Sequence, residues 1–300
     1  MNLVSLERHT TQTLLGICFW DRITNRVIVD GLRVTAQRLS DDRTQRLGRL
    51  VVGRGTSSGA IAFFGLSSAE IPADPDQLLW DTVPPEQLVV IDMVDSLNRF
   101  LPLSFVARLP FRGVFRGQGD WLVNSLLRPE VDPDQAMGVQ LWSSPTRPVP
   151  PGAAVIRSQL VVGDGINAPP AAYALVHVQD SESPEDFNYY GLTDAQGSLL
   201  LPMPYPDIPD PVPPVTDYPP LDQQTYGLTI TVRHSTQTTL PGSDVPDLGA
   251  LLNQPVADVA TERAADDTLQ FESNLSVSLQ FGRSLILGTA ADPVFRIQSV

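Results

Sequence analysis

Strict alternation of apolar and polar residues recurs along this chain, and it constrains the fold more than any other feature. Leu32, Val34 and Ala36 alternate with Arg33, Thr35 and Gln37. Tyr226, Leu228, Ile230 and Val232 alternate with Gly227, Thr229, Thr231 and Arg233, and Leu275, Val277, Leu279 and Phe281 with Ser276, Ser278 and Gln280. A period of two puts one set of side chains on a core face and the other in water, as in antiparallel sheets. Helical periodicity is confined to short stretches, at Asp92–Arg99, at Asp120–Leu127 and at Asp247–Asn253 ahead of Pro255. No strand–helix–strand rhythm appears, which argues against a parallel nucleotide-binding sheet. The expected fold class is all-β, two tandem antiparallel β-sandwiches with long proline-rich loops and a few short helices.

Proline marks the divisions. The chain has 28 prolines and 21 glycines in 300 residues, the composition of many short elements joined by turns. Prolines cluster in Ser144-Pro-Thr-Arg-Pro-Val-Pro-Pro-Gly152, where ladder hydrogen bonding fails, and a strand-like run follows from Ala153 to Val162. A border near residue 150 is therefore expected, with one sandwich over residues 1–150 and a second over 151–300. A second proline-rich stretch, Pro202–Pro220, lies between strand-like segments and reads as a long, semi-rigid loop inside the second domain.

The two halves open alike, each with a strand, a polar turn and another strand, over Phe19–Val34 and Leu160–Val176. The second continues through Gly191-Leu-Thr-Asp-Ala-Gln-Gly-Ser-Leu-Leu-Leu201, where Asp194 and Gly197 bracket a tight turn before an apolar strand. Over Val155–Leu201 this order resembles the carboxypeptidase-regulatory-like, or transthyretin-like, β-sandwich modules of the immunoglobulin-like class. The resemblance implies accessory or binding domains. More weakly, two such modules joined by a proline-rich linker resemble accessory structural proteins of bacterial phage-tail-like contractile injection systems. That resemblance implies an assembly part and carries over no catalytic residue.

Charge narrows the partners. A net charge of −14 argues against nucleic acid and anionic membrane surfaces. All twenty cations are arginines, so lysine Schiff-base, Walker-A and kinase-type chemistry are excluded. The single cysteine, Cys18, lies in an apolar run and reads as a buried, inert thiol. No stretch of 18 apolar residues spans a membrane. The first residues lack the pattern of a secretory signal, so a cytoplasmic address is expected.

Motifs with catalytic or metal-binding potential are few. Gly55-Thr-Ser-Ser-Gly59 matches a nucleophile elbow around Ser57, yet strand-like residues follow it where a helix is required, so a glycine- and serine-rich hairpin turn is expected. His177 and His234 end apolar strand faces and read as structural residues, and His9 lies in a polar segment. Asp74, Asp76, Asp132, Asp134 and the acids of Asp180–Asp186 form loop clusters without EF-hand spacing. Neither a metal nor any other cofactor is expected. Tyr189, Tyr190, Tyr205 and Tyr218 lie at or beside polar and proline-rich loops and are the candidate interface residues. Phe281–Thr289 is expected to close the second sandwich as a hairpin around Gly282-Arg283, with Phe295–Val300 either adding one further strand or joining a neighbour's sheet edge. The expected function is a non-enzymatic structural or adaptor subunit contacting other protein subunits. The alternative is a stand-alone protein- or carbohydrate-binding module.

Overall fold

The computed structural model describes residues 13–298, apart from residues 14, 67–85, 110–113, 116–137, 166, 183, 185–186, 207–219, 241, 264–268 and 290–292. The fold is all-β and sandwich-like. The first half holds β1 (Gly16–Ile17), β2 (Phe19–Asp21), β3 (Arg26–Ile28), β4 (Leu32–Leu39), β5 (Arg46–Val52), β6 (Arg54–Gly55), β7 (Ile61–Ala62), β8 (Gln87–Asp95), β9 (Leu103–Leu109), β10 (Val114–Phe115) and β11 (Val139–Gln140). The second holds β12 (Ala154–Val162), β13 (Leu175–Asp180), β14 (Asn188–Leu192), β15 (Ser198–Met203), β16 (Thr225–Arg233), α1 (Leu248–Leu252), β17 (Val256–Arg263), β18 (Leu269–Glu272), β19 (Leu275–Gln280), β20 (Leu285–Leu287) and β21 (Phe295–Gln298).

In the first half the main sheet is antiparallel, in the order β5-β4-β8-β9. Small sheets β10-β1-β7-β6 and β11-β2-β3 complete the layer around its core. Alternation places Val34 and Ala36 of β4, and Val89, Ile91 and Met93 of β8, in that core with Phe19, Phe63, Leu103 and Trp142. The short helix expected over Asp92–Arg99 does not form. Those residues are the end of β8 and the turn after it, because β8 is hydrogen-bonded on both sides, with Asp92 opposite Thr35 of β4 and Ser104 of β9. A helix there would leave two ladders unpaired.

In the second half a continuous path β14-β13-β16-β17-β21-β12-β15 curls around one core. Strand β17 makes the corner: Val256 and Ala257 pair with β16, whereas Asp258 and Val259 pair with β21. The turn before β15 forms as expected. Asp194 Oδ1 accepts from the Gln196 and Ser198 N–H groups, and Gly197 adopts φ +77°. A Cβ on Gly197 would stand 2.3 Å from the Leu160 carbonyl oxygen, so only glycine fits.

The expected closing hairpin is also corrected. Strand β19 pairs with β16, while β20 runs parallel to β12. The Gly282-Arg283 turn therefore carries the chain from one side of the core to the other, burying Leu279 and Leu287 in it from both sides. Strand β21 forms as expected, inserted between β12 and β17. Helix α1 forms where the 247–253 pattern places it. Asp247 caps it, accepting from the Ala250 N–H at 2.9 Å. The expected helix at 120–127 lies outside the described residues.

The two halves share a wall. Strands β13 and β14 send Val176, Val178 and Phe187 into the second core, and Leu175, Tyr190 and Leu192 into the first. Leu248, Leu251 and Leu252 of α1 also join the first core, although they lie a hundred residues beyond it in sequence. The Ser104 N–H donates to the Pro246 carbonyl at 2.8 Å and fixes that segment beside β9.

Candidate functional site

The proline-rich segment between the halves is anchored by a buried ion pair. Arg147 donates to both carboxylate oxygens of Asp21, at 3.1 and 2.5 Å, and to Ser143 Oγ at 2.9 Å. Its guanidinium lies 4.8 Å from the centre of the Phe100 ring. Asp21 and Arg147 are 2% and 8% exposed, so each charge is stabilised by the other rather than by water. Nearby, Arg22 places its guanidinium 4.1 Å over the Tyr189 ring. Burial lowers the pKa of Arg22, and the two tyrosines Tyr189 and Tyr190 work against that. Arg22, Trp142, Tyr189 and Pro202 line a recess of only about 10 Å³, roughly the room for one water, which is too small for a metabolite.

The candidate interface tyrosines have unlike positions. Tyr190 is 5% exposed and stacks on His177, with ring centres 4.3 Å apart. It seals the boundary between the cores and offers no surface to a partner. Tyr189, its neighbour on the opposite face of β14, is half-buried under Arg22 and against Phe187. Tyr205 packs on Tyr226 and Phe281, and its hydroxyl accepts from the Gly282 N–H at 2.8 Å. Tyr218 lies outside the described residues. The three described tyrosines thus do not share one face.

The polar motifs are structural in their contacts. Thr56, Ser57, Ser58 and Gly59 form the turn between antiparallel β6 and β7, with Gly59 at φ +82°. Two strands flank Ser57, so the strand–turn–helix geometry of an elbow is missing. His177 Nε2 lies 2.5 Å from Asn188 Oδ1, and burial lowers its pKa against that hydrogen bond. His234 is 3% exposed and its pKa is likewise lowered by burial. Among the described residues no group of three or more His, Cys, Asp or Glu side chains is placed to hold a metal ion. His9, Asp74, Asp76, Asp132, Asp134 and Asp186 lie outside the described residues. Among the described residues no helix is long and apolar enough to cross a membrane.

A different surface stands out, and sequence reasoning missed it. Strand β5 forms one edge of the main sheet of the first half, bonded among the described residues to β4 alone. The Gly53 N–H donates to the Val34 carbonyl at 2.8 Å, so Val52 sits opposite Thr35 in a non-bonded pair. Its own N–H and C=O therefore point to the open side of the sheet. Leu47, Leu50 and Val52 are 36%, 43% and 55% exposed, and Val94 and Leu97 of the β8 end are exposed as well. Arg46 reaches from β5 across the sheet to Asp92 in a two-pronged pair, which holds the edge rigid. Gly53 lets the chain turn from β5 into β6 against the core, since a Cβ there would stand 2.4 Å from Ile61 Cγ2. The signal was weak because β5 bulges over Gly48–Leu50, three residues facing Gln37 alone, and this breaks the alternation of the strand.

No protein-family model matches the chain, and no curated protein matches it in sequence. Among solved structures the chain is similar to GBS52, the minor pilin of Streptococcus agalactiae, at 7% identity and TM-score 0.22 over 95% of this chain and 96% of that one. It is similar to BcpA, the major pilin subunit of Bacillus cereus, at 8% identity and TM-score 0.22, covering 90% of this chain and 60% of that one. It is also similar to SpaC, a pilus adhesin of Lactobacillus rhamnosus GG, at 9% identity and TM-score 0.20, covering 94% and 31%. At such scores the likenesses carry no argument about what the chain does. The expected cytoplasmic address is corrected here: all three are pilus proteins, which stands against it, and that address is not carried forward. None of these three solved structures is described as part of a contractile particle.

Proposed function

We propose that this chain is a non-enzymatic structural module that works by contact with other proteins. The observation that carries the reading is the open β5 edge, where the outward N–H and C=O of Val52 stand beside exposed Leu47, Leu50 and Val52. Apolar side chains beside unpaired ladder groups are the features that β-strand addition uses. The recess beneath Arg22 and Tyr189 holds about a single water, and Ser57 lies in a turn between two strands. The division near residue 150 belongs to the same proposal: two β units joined through Arg147 and the shared β13–β14 wall.

The test is the native mass of the untagged protein in fractions of its source cells, by gradient sedimentation with mass spectrometry of co-migrating proteins. Migration in a large assembly with a constant set of partners supports the reading. Migration as a free 32.6 kDa species everywhere overturns it.

A further inference from the structure

We propose that the β5 edge docks the acidic second half of another copy of this chain, head to tail. The inference rests on the reading of the chain as a structural module and names the partner of that edge. Two independent observations carry it. One is the open edge itself. The other is a division of charge that the net value of −14 hides. Residues 22–54 carry eight arginines against three aspartates, whereas residues 151–300 carry eighteen acidic residues against five arginines.

The arginines around β5 are displayed rather than consumed. Arg33, Arg38, Arg49 and Arg54 are exposed, and their side chains make no ion pair or hydrogen bond among the described residues, in contrast to those of Arg46, Arg99 and Arg147. A cationic strip beside an open strand selects an extended, acidic strand. The second half offers one. Strand β18 is an outer strand bonded among the described residues to β17, with Glu272 exposed upon it and exposed Asp258 next to its partner Val259. Edge and complement lie on different halves of the same chain, so the contact is heterologous and repeats from copy to copy, as a ring or an open filament according to the rotation between copies. The arginine fork makes each pairing directional, and the outward ladder groups of Val52 help to fix the register.

The experiment is sedimentation of the full chain over a range of concentrations at ~0.01 M and ~1 M salt, where screening changes most. The wild-type chain is expected to exceed 32.6 kDa at low salt and return to it at high salt. Arg38→Glu/Arg49→Glu/Arg54→Glu is expected to stay at 32.6 kDa throughout, as is Asp258→Arg/Glu272→Arg. Mixing the two variants restores opposite charge at both edge–strand contacts, once in the native sense and once reversed, and is expected to return association above 32.6 kDa with the two variants in equal amounts. Because that mixture regains association only if both variants are folded, it also reports on their integrity. A wild-type chain of 32.6 kDa under all conditions, an arginine variant that associates like the wild type, or a mixture that does not pair overturns the proposal. If the purified chain is monomeric yet sediments in a large assembly from cells, the second-copy contact falls and the structural reading stands. If it is free in both, both fall.

Discussion

The two cores are built from similar residues but on different terms. The second is assembled wholly from residues between Ala154 and Ile297. The first begins at Leu15, yet takes Leu175, Tyr190, Leu192, Leu248, Leu251 and Leu252 from the other half. Those six close one side of a core that also contains Trp142, Phe19 and Phe63. The comparison teaches that core completion is one-sided: the second half can close its own core, and the first cannot, although the second half by itself would leave those six side chains exposed. Spectroscopy separates the two conveniently, because all four tryptophans (Trp20, Trp80, Trp121, Trp142) lie in the first half and all six tyrosines in the second.

The strongest way to break this comparison is to cut the chain. Residues 151–300 alone are expected to keep a cooperative tyrosine-detected melting transition, while residues 1–150 alone show solvent-exposed tryptophan emission and no transition. A first half that melts cooperatively by itself removes the asymmetry. Next in size is Arg147→Ala, which leaves the Asp21 carboxylate buried without its partner and is expected to destabilise by about 3–5 kcal/mol, read from the tryptophan midpoint in urea. Replacing the pair together, Asp21→Asn with Arg147→Met, should recover much of that loss.

Paired truncations sharpen the comparison further. Leu251→Ala should lower the tryptophan transition by about 2–4 kcal/mol with little change in the tyrosine one. Leu228→Ala, in the second core, should lower both transitions together, because the first half rests on the second. Equal and separate effects from both variants would show two independent units.

A smaller effect depends on pH. Burial lowers the folded-state pKa of His177 and His234, so the unfolded chain binds protons more readily than the folded one. Their contribution is therefore intact above about 6.5 and is lost as pH falls from there through the folded values. Asp247, whose pKa burial raises, works in the opposite sense at lower pH. The tyrosine-detected midpoint should fall as pH drops below about 6.5, and His177→Asn with His234→Asn should flatten the slope. The smallest expected change is Arg22→Ala. Loss of the guanidinium–Tyr189 contact should weaken the junction by about 0.5–1 kcal/mol.

Much of the strand content was legible because it depends on local alternation. Leu32–Ala36 and Tyr226–Val232 each bury one face, and they fold as read. The Asp247 cap and Pro255 delimit a helix by backbone chemistry alone. What depends on distant pairing was not legible. Asp92–Arg99 has helical spacing, but two neighbouring strands claim its first residues. Gly282-Arg283 has hairpin chemistry, but β20 finds its partner in β12 across the core. Tyr189 and Tyr190 look equivalent in sequence, whereas alternation along β14 sends one under Arg22 and the other into the first core. The β5 edge escaped notice because edge status belongs to the sheet and is not encoded in any one strand.

The placement of α1 in the first core has a consequence for the order of events during synthesis. Trp142 leaves the ribosome well before Leu248–Leu252, and at about 5–20 residues per second the interval is roughly 5–20 s. Throughout that time the nascent first half has its sheet residues but not its seal. The last helix to be made is thus a timing element, and the apolar interior around Phe19 and Trp142 needs shelter until it arrives.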